Sequence, residues 1–142
     1  MKINGLKKTG KGKIRNATKV VYDGIKFDSK LDYWMYLELI KNNLPFSYST
    51  EKFTLIDPFI YKGKKYLPVT YKPDFVSDKF IIECKGHPNE LFPMRWKLFK
   101  RYLALNNLDY DLYLCKNKKG IQEVIDDIKY KQDGNNSKSI DE

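Results

Sequence analysis

Pro73-Asp74 is followed, after a short apolar stretch, by Glu83-Cys84-Lys85. If the chain between them is a β-hairpin turning on Asp78 and Lys79, Asp74 lies directly across from Glu83. Opposed residues share a face of the sheet, with Cβ atoms roughly 4.5–5.5 Å apart. Lys85, two residues beyond Glu83, projects to that same face. Two carboxylates this close repel unless one is protonated or a cation lies between them. The pattern therefore predicts a divalent-metal site with a lysine at its edge. Phosphodiester hydrolysis at neutral pH needs an activated water and neutralised phosphate charge, and carboxylate-held Mg²⁺ supplies both. Asp74 and Glu83 suit hard oxygen ligation, and the Cys84 carbonyl is a further candidate ligand. Lys85 could orient or deprotonate the water, or stabilise charge developing on the phosphate. The competing reading makes Asp74 a turn cap and Glu83–Lys85 a surface ion pair.

Several elements must position these groups. Val20-Val21-Tyr22 reads as a short strand ending at the Asp23-Gly24 turn signal. Asp28 or Ser29 then caps a helix in which Leu31, Trp34, Met35 and Leu39 recur at helical spacing, stopping near Asn42-Asn43. Strand-like segments follow at 46–56 (with breaks), 65–71 and in the hairpin, 74–76 with 79–85. The second hairpin strand is apolar on both faces until its end, which predicts a central strand. A second helix is expected over 92–106, with Trp96, Phe99 and Leu103 facing the sheet. A strand over 110–115 and a helix over 121–130 complete the order. The expected fold is α/β: a central mixed, mostly antiparallel sheet flanked by helices.

Three ordered motifs give this reading more specificity. From Tyr22 to Gly86 the chain resembles the PD-(D/E)XK nuclease superfamily, through Phe27-Asp28-Ser29-Lys30-Leu31-Asp32, Tyr71-Lys72-Pro73-Asp74-Phe75 and Ile82-Glu83-Cys84-Lys85-Gly86. Within it, the chain is similar to small phage endonucleases of the junction-resolving endonuclease I type. The resemblance implies a restriction-endonuclease-like core, Mg²⁺- or Mn²⁺-dependent cleavage and DNA as substrate. It also implies that Asp32, on the first helix, joins Asp74 and Glu83 at the metal. Members of that superfamily commonly carry Glu there. Asp is one methylene shorter, so direct ligation and ligation through a water both stay open. Asp28 reads as a cap and Glu38 as a solvated helix residue. His87, the only histidine, reads as a loop residue beyond the strand, and Cys84 as packing. Gly86 either admits a nucleic-acid backbone or simply ends the strand.

At 142 residues, 42% of them hydrophobic and 15% aromatic, the chain has the material for one folded domain. The net charge of +9 is uneven. Lys2, Lys7, Lys8, Lys11, Lys13, Arg15 and Lys19 fall within the first 20 residues, which hold no acid. The expected organisation is a basic arm over 1–18, a nuclease domain over 19–131 and a disordered tail over 132–142. Lys7, Lys8, Lys11, Lys13 and Arg15 suit sequence-independent phosphate contact. Arg95 and Lys97, near the start of the second helix, are the further DNA-binding candidates. Trp34, Trp96 and the eleven tyrosines read as core or interface.

No apolar run approaches the ~20 residues of a membrane span, and the first residues lack a signal-peptide core. Cys84 and Cys115 have no CxxC spacing, so a reduced, cytoplasmic protein is expected, in a bacterial host if phage-encoded. One histidine and two separated cysteines do not make a zinc centre. The expected function is a Mg²⁺- or Mn²⁺-dependent DNA endonuclease selective for branched DNA such as Holliday junctions. A homodimer would place two sites on two strands. The alternatives are a nicking or restriction-type endonuclease, a non-catalytic DNA-binding protein on the same fold, and a structural domain with an accidental motif.

Overall fold

A computed structural model describes residues 20–87 and 89–134. The basic arm expected over 1–18 lies outside the described residues, as do residues 135–142 of the expected tail. In chain order the elements are β1 (Val20–Tyr22), β2 (Ile25–Phe27), α1 (Lys30–Lys41), β3 (Ser47–Tyr48), β4 (Phe53–Ile56), β5 (Phe59–Tyr61) and β6 (Lys64–Tyr66). Then come β7 (Val69–Tyr71), β8 (Phe75–Val76), β9 (Phe80–Cys84), α2 (Phe92–Leu105), β10 (Asp111–Cys115) and α3 (Lys118–Gln132). The described residues are thus mixed α/β, with several small sheets and three helices. No helix among the described residues is long and apolar enough to cross a membrane. Two compact units divide the described chain, one holding residues 20–45, 84–87 and 115–134, the other 46–83 and 89–114.

In the first unit β1 and β2 form an antiparallel hairpin. Its turn residues Asp23 and Gly24 have φ of 52° and 79°, the backbone of a type I′ turn that matches strand twist. Helix α1 starts at Ser29, whose side chain accepts a hydrogen bond from the Asp32 amide. Leu31, Met35 and Leu39 form its buried stripe. Helix α3 is capped by Asn117, whose Oδ1 accepts from the Gly120 amide at 2.9 Å, and it buries Ile121, Val124, Ile125 and Ile128. The two helices pack on each other, and Lys129 Nζ donates to Asn42 Oδ1 at 3.1 Å. α3 extends through Gln132, so the boundary expected at residue 132 falls within its last turn.

The second unit holds most of a four-stranded sheet in the order β10-β9-β8-β3. β8 pairs antiparallel with both β9 and β3. β9 and β10 run parallel: Lys79 accepts from Asp111 near their starts and Cys115 accepts from Lys85 near their ends. Helix α2 makes the crossover that a parallel pair requires. Its stripe of Phe92, Trp96, Phe99 and Leu103 joins Leu55, Tyr71, Val76, Ile81 and Leu112 in one core cluster. Each such large side chain contributes roughly 1.5–3 kcal/mol on burial. The central position expected for the Phe80–Cys84 strand is observed, and all five of its residues are buried.

The segment expected at 46–56 with breaks is divided into β3 and β4, whereas the one expected as a single run at 65–71 is divided into β6 and β7. β4 pairs with β7, with a bulge between Thr54 and Ile56. The pairs Ile56↔Val69 and Phe59↔Tyr66 keep a common register, so β5–β6 continues the same ribbon outward. Lys62 and Gly63 turn its tip, with φ of 48° and 79°. Pro58 and Pro68 punctuate the ribbon because proline cannot donate to a strand ladder.

Candidate active site

The register of the β8–β9 hairpin decides where the two motif carboxylates point. Phe75 pairs with Ile82 and Val76 with Ile81, the pairing expected of a two-residue turn on Asp78 and Lys79. Ser77 closes that turn: its amide donates to the Phe80 carbonyl and its Oγ accepts from the amides of Lys79 and Phe80. Continued one residue beyond β8, this register sets Asp74 across from Glu83. The Asp74 carbonyl accepts from the Ser49 amide at 2.7 Å, so β3 fixes the backbone of the acid from its other side. Pro73, fully buried, fixes the turn out of β7 just before it.

Glu83 is only 6% exposed. Burying a carboxylate costs several kcal/mol unless hydrogen bonds compensate (on the order of 1–3 kcal/mol per missing partner). Tyr71 supplies one such bond, its hydroxyl donating to Glu83 Oε1 at 2.5 Å. The phenol is held far above its ordinary value of 10.0 by burial first, then by the charge and hydrogen bond of Glu83, with Asp74 adding to the same field. Arg95 opposes that rise, and its Nη1 donates to the Thr70 carbonyl at 2.6 Å. Asp74, Glu83, Tyr71 and Arg95 are therefore one electrostatic group of the second unit. No buried side-chain nitrogen or oxygen among the described residues lacks a hydrogen-bond partner.

In the first unit Asp32 sits at the third position of α1 and is 2% exposed. Ser29 Oγ donates to Asp32 Oδ1 at 3.1 Å while the Asp32 amide donates back to Ser29 Oγ. This reciprocal cap resembles a capping box with the shorter acid. It orients the carboxylate and stabilises the helix start together. A carboxylate oxygen of Asp32 and the Cys84 Sγ lie within 4.8 Å of one another. The Cys84 thiol is hydrogen-bonded to that of Cys115, which lowers the Cys115 pKa against the opposing effect of burial. Cys115 Sγ also donates to the Asn117 carbonyl at 3.4 Å. Both cysteines are buried and neither is in a disulfide. Lys85 is half-buried, and its amide is fixed by the Cys115 carbonyl at 2.9 Å.

The remaining candidates fall outside these groups. Asp28 is exposed, and Ser29 rather than Asp28 is the cap. Glu38 Oε1 and its carbonyl accept from the Asn42 side chain. His87 is exposed in the loop after β9. A side chain at Gly86 would meet only the Lys116 carbonyl, at 3.8 Å, so sterics do not demand glycine there. Lys97 is exposed on α2, whereas Arg95 is half-buried and engaged with β7. Trp96 is core, and Trp34 is half-buried beneath Lys118 Nζ at 4.5 Å. Lys7, Lys8, Lys11, Lys13 and Arg15 lie outside the described residues.

Tyr71 was not singled out by its sequence pattern, although it opens the Tyr71–Phe75 motif. Its tie to Glu83 depends on β7 pairing with β4 rather than with the hairpin sheet, and no local spacing encodes that. A family profile described as a protein of unknown function, DUF1064, matches residues 12–120. That span includes all three motifs, Tyr71 and Arg95. Searches of curated proteins and of solved structures return no match.

Proposed function

The chain belongs to the DUF1064 family, and we propose that it is a metal-dependent DNA endonuclease of the PD-(D/E)XK kind, acting on branched DNA. The observation that carries this reading is the pair Asp74 and Glu83, set opposite each other by the hairpin register, with Glu83 buried and oriented by Tyr71. Buried acids with strongly perturbed neighbours are more common at functional sites than elsewhere.

The donor chemistry fits a hard divalent ion. Asp74 and Glu83 would hold Mg²⁺ or Mn²⁺ through carboxylate oxygens. Cys84 would take part through its carbonyl, because its thiol is a soft donor already engaged with Cys115. The bound ion would supply an acidified water and charge neutralisation on the phosphate. Tyr71 fixes one oxygen of Glu83. Lys85 brings a positive charge to the end of the same strand, where it can stabilise charge on the phosphate or orient the attacking water. Arg95 holds β7, and with it Tyr71, in place. A homodimer would present two such sites to the two strands of a branch.

The test is cleavage of a four-way junction, a fork and a linear duplex by the full chain with Mg²⁺ or Mn²⁺. Cleavage is expected, with the junction preferred. Glu83→Gln and Lys85→Ala should each reduce the rate by about 10²-fold or more, the scale typical of losing an acid–base group. Rates unchanged in both variants, or no cleavage by the parent chain with either ion, would refute the proposal.

A further inference from the structure

The outer ribbon, β5–β6, exposes three consecutive large apolar side chains, Phe59, Ile60 and Tyr61. Its register pairs Phe59 with Tyr66 and Tyr61 with Lys64. Residues two apart on a strand share a face, so Phe59, Tyr61, Tyr66 and Lys64 lie on one side and Ile60 with Lys65 on the other. Phe59 is 49% exposed and Tyr61 57%. Their rings are ordered nonetheless: Phe59 and Tyr66 stack at 5.1 Å with planes 9° apart. Lys64 Nζ lies 5.2 Å from the Tyr66 ring and Lys62 Nζ 5.6 Å from the Tyr61 ring. The sheet formed by β5 and β6 has only these two strands, so neither outer edge pairs with a further strand of the described chain, and Ile60 on the opposite side is 69% exposed.

Exposed rings of this extent normally mark an interaction surface. The charge pattern selects its occupant. Lys62, Lys64 and Lys65 surround the tip, whereas Asp57, the only acid between Ile56 and Leu67, is at the base. A second copy would bring lysine against lysine, which opposes self-pairing. A polyanion would be attracted. Aromatic faces combined with nearby cations are the chemistry by which single-stranded nucleic acid is held, bases on the rings and phosphates on the amines.

We infer that the β5–β6 ribbon binds unpaired bases of single-stranded DNA, stacking them on Phe59 and Tyr61, with Tyr66 backing the Phe59 ring, while Lys62 and Lys64 contact the flanking phosphates. The choice of DNA rests on the nuclease reading, and the ribbon would add affinity wherever a branch carries a single-stranded arm. The binding itself requires no cleavage.

The experiment measures binding of fluorescein-labelled dT20 and of a 20-base-pair duplex to the full chain in EDTA, for the parent, Phe59→Ala/Tyr61→Ala and Lys62→Gln/Lys64→Gln. Thermal melting confirms that these surface variants fold. The aromatic variant should lose at least about tenfold in affinity for dT20, given that stacking per base typically contributes roughly five- to 150-fold. Its affinity for the duplex should change less than about twofold. The lysine variant should lower the salt dependence for dT20 by about 0.7 for each phosphate no longer neutralised. Unchanged dT20 binding, equal losses on duplex and dT20, or a change of oligomeric state in the aromatic variant would overturn the inference. Loss of dT20 binding in the aromatic variant alongside absent parental cleavage would sustain the ribbon's role while rejecting the nuclease reading.

Discussion

At the scale of single residues, the contact between Tyr71 and Glu83 is where burial and charge meet. The phenol keeps its proton because ionisation would place a second negative charge in a buried setting beside Glu83. In the unfolded chain the same phenol ionises near 10.0. Its contribution to stability is therefore complete below about pH 10 and is lost as pH rises further, by up to about 1.36 kcal/mol per pH unit. Tyr71→Phe should destabilise the protein at pH 8 by about 1–3 kcal/mol, because Glu83 loses a donor. That gap should narrow between pH 9 and 11 in urea titrations of both proteins. Parallel stability curves would show that Tyr71 is not held protonated. The carboxylates themselves were legible in the sequence because a two-residue turn fixes a register. Tyr71 was not, since its neighbour is twelve residues away through two different sheets.

At the scale of elements, the helices were read most fully. Ser29 supplied a cap for α1, and Phe92, Trp96, Phe99 and Leu103 gave α2 one continuous apolar stripe. Phe99 shows what that stripe contributes. It is fully buried, with rings of Phe53 and Tyr71 at 5.1 and 4.7 Å. Phe99→Ala should cost about 3–5 kcal/mol, read from the denaturant midpoint at constant slope. A loss under about 1 kcal/mol would place Phe99 outside the core. The strands between 47 and 71 were harder to read. Prolines at 58 and 68 argue against strand, and Lys62 at the tip takes a left-handed conformation that lysine rarely announces. β2 was missed because Ile25–Phe27 is too short to show an alternation.

For the whole molecule, charge is the property that links sequence to partner. The net +9 is concentrated in the first 20 residues, leaving the rest near +2. If the arm contacts phosphate, deleting residues 1–18 should weaken binding to every DNA equally. It should also flatten the plot of log affinity against log salt by about 0.9 for each duplex phosphate that the arm had neutralised. An unchanged slope would show that the arm does not touch DNA. Charge, however, says nothing of the proposed chemistry, which is argued from Asp74, Glu83 and Lys85. The central claim is therefore tested most directly by following a labelled four-way junction with Mg²⁺, using the parent chain beside Glu83→Gln. That substitution keeps the size of the side chain and an acceptor for the Tyr71 hydroxyl while removing the charge. Strand cleavage by the parent is predicted, with a rate lower by about 10²-fold or more in Glu83→Gln and junction binding retained. Equal cleavage by both proteins, or none by the parent with Mg²⁺ or Mn²⁺, would contradict it.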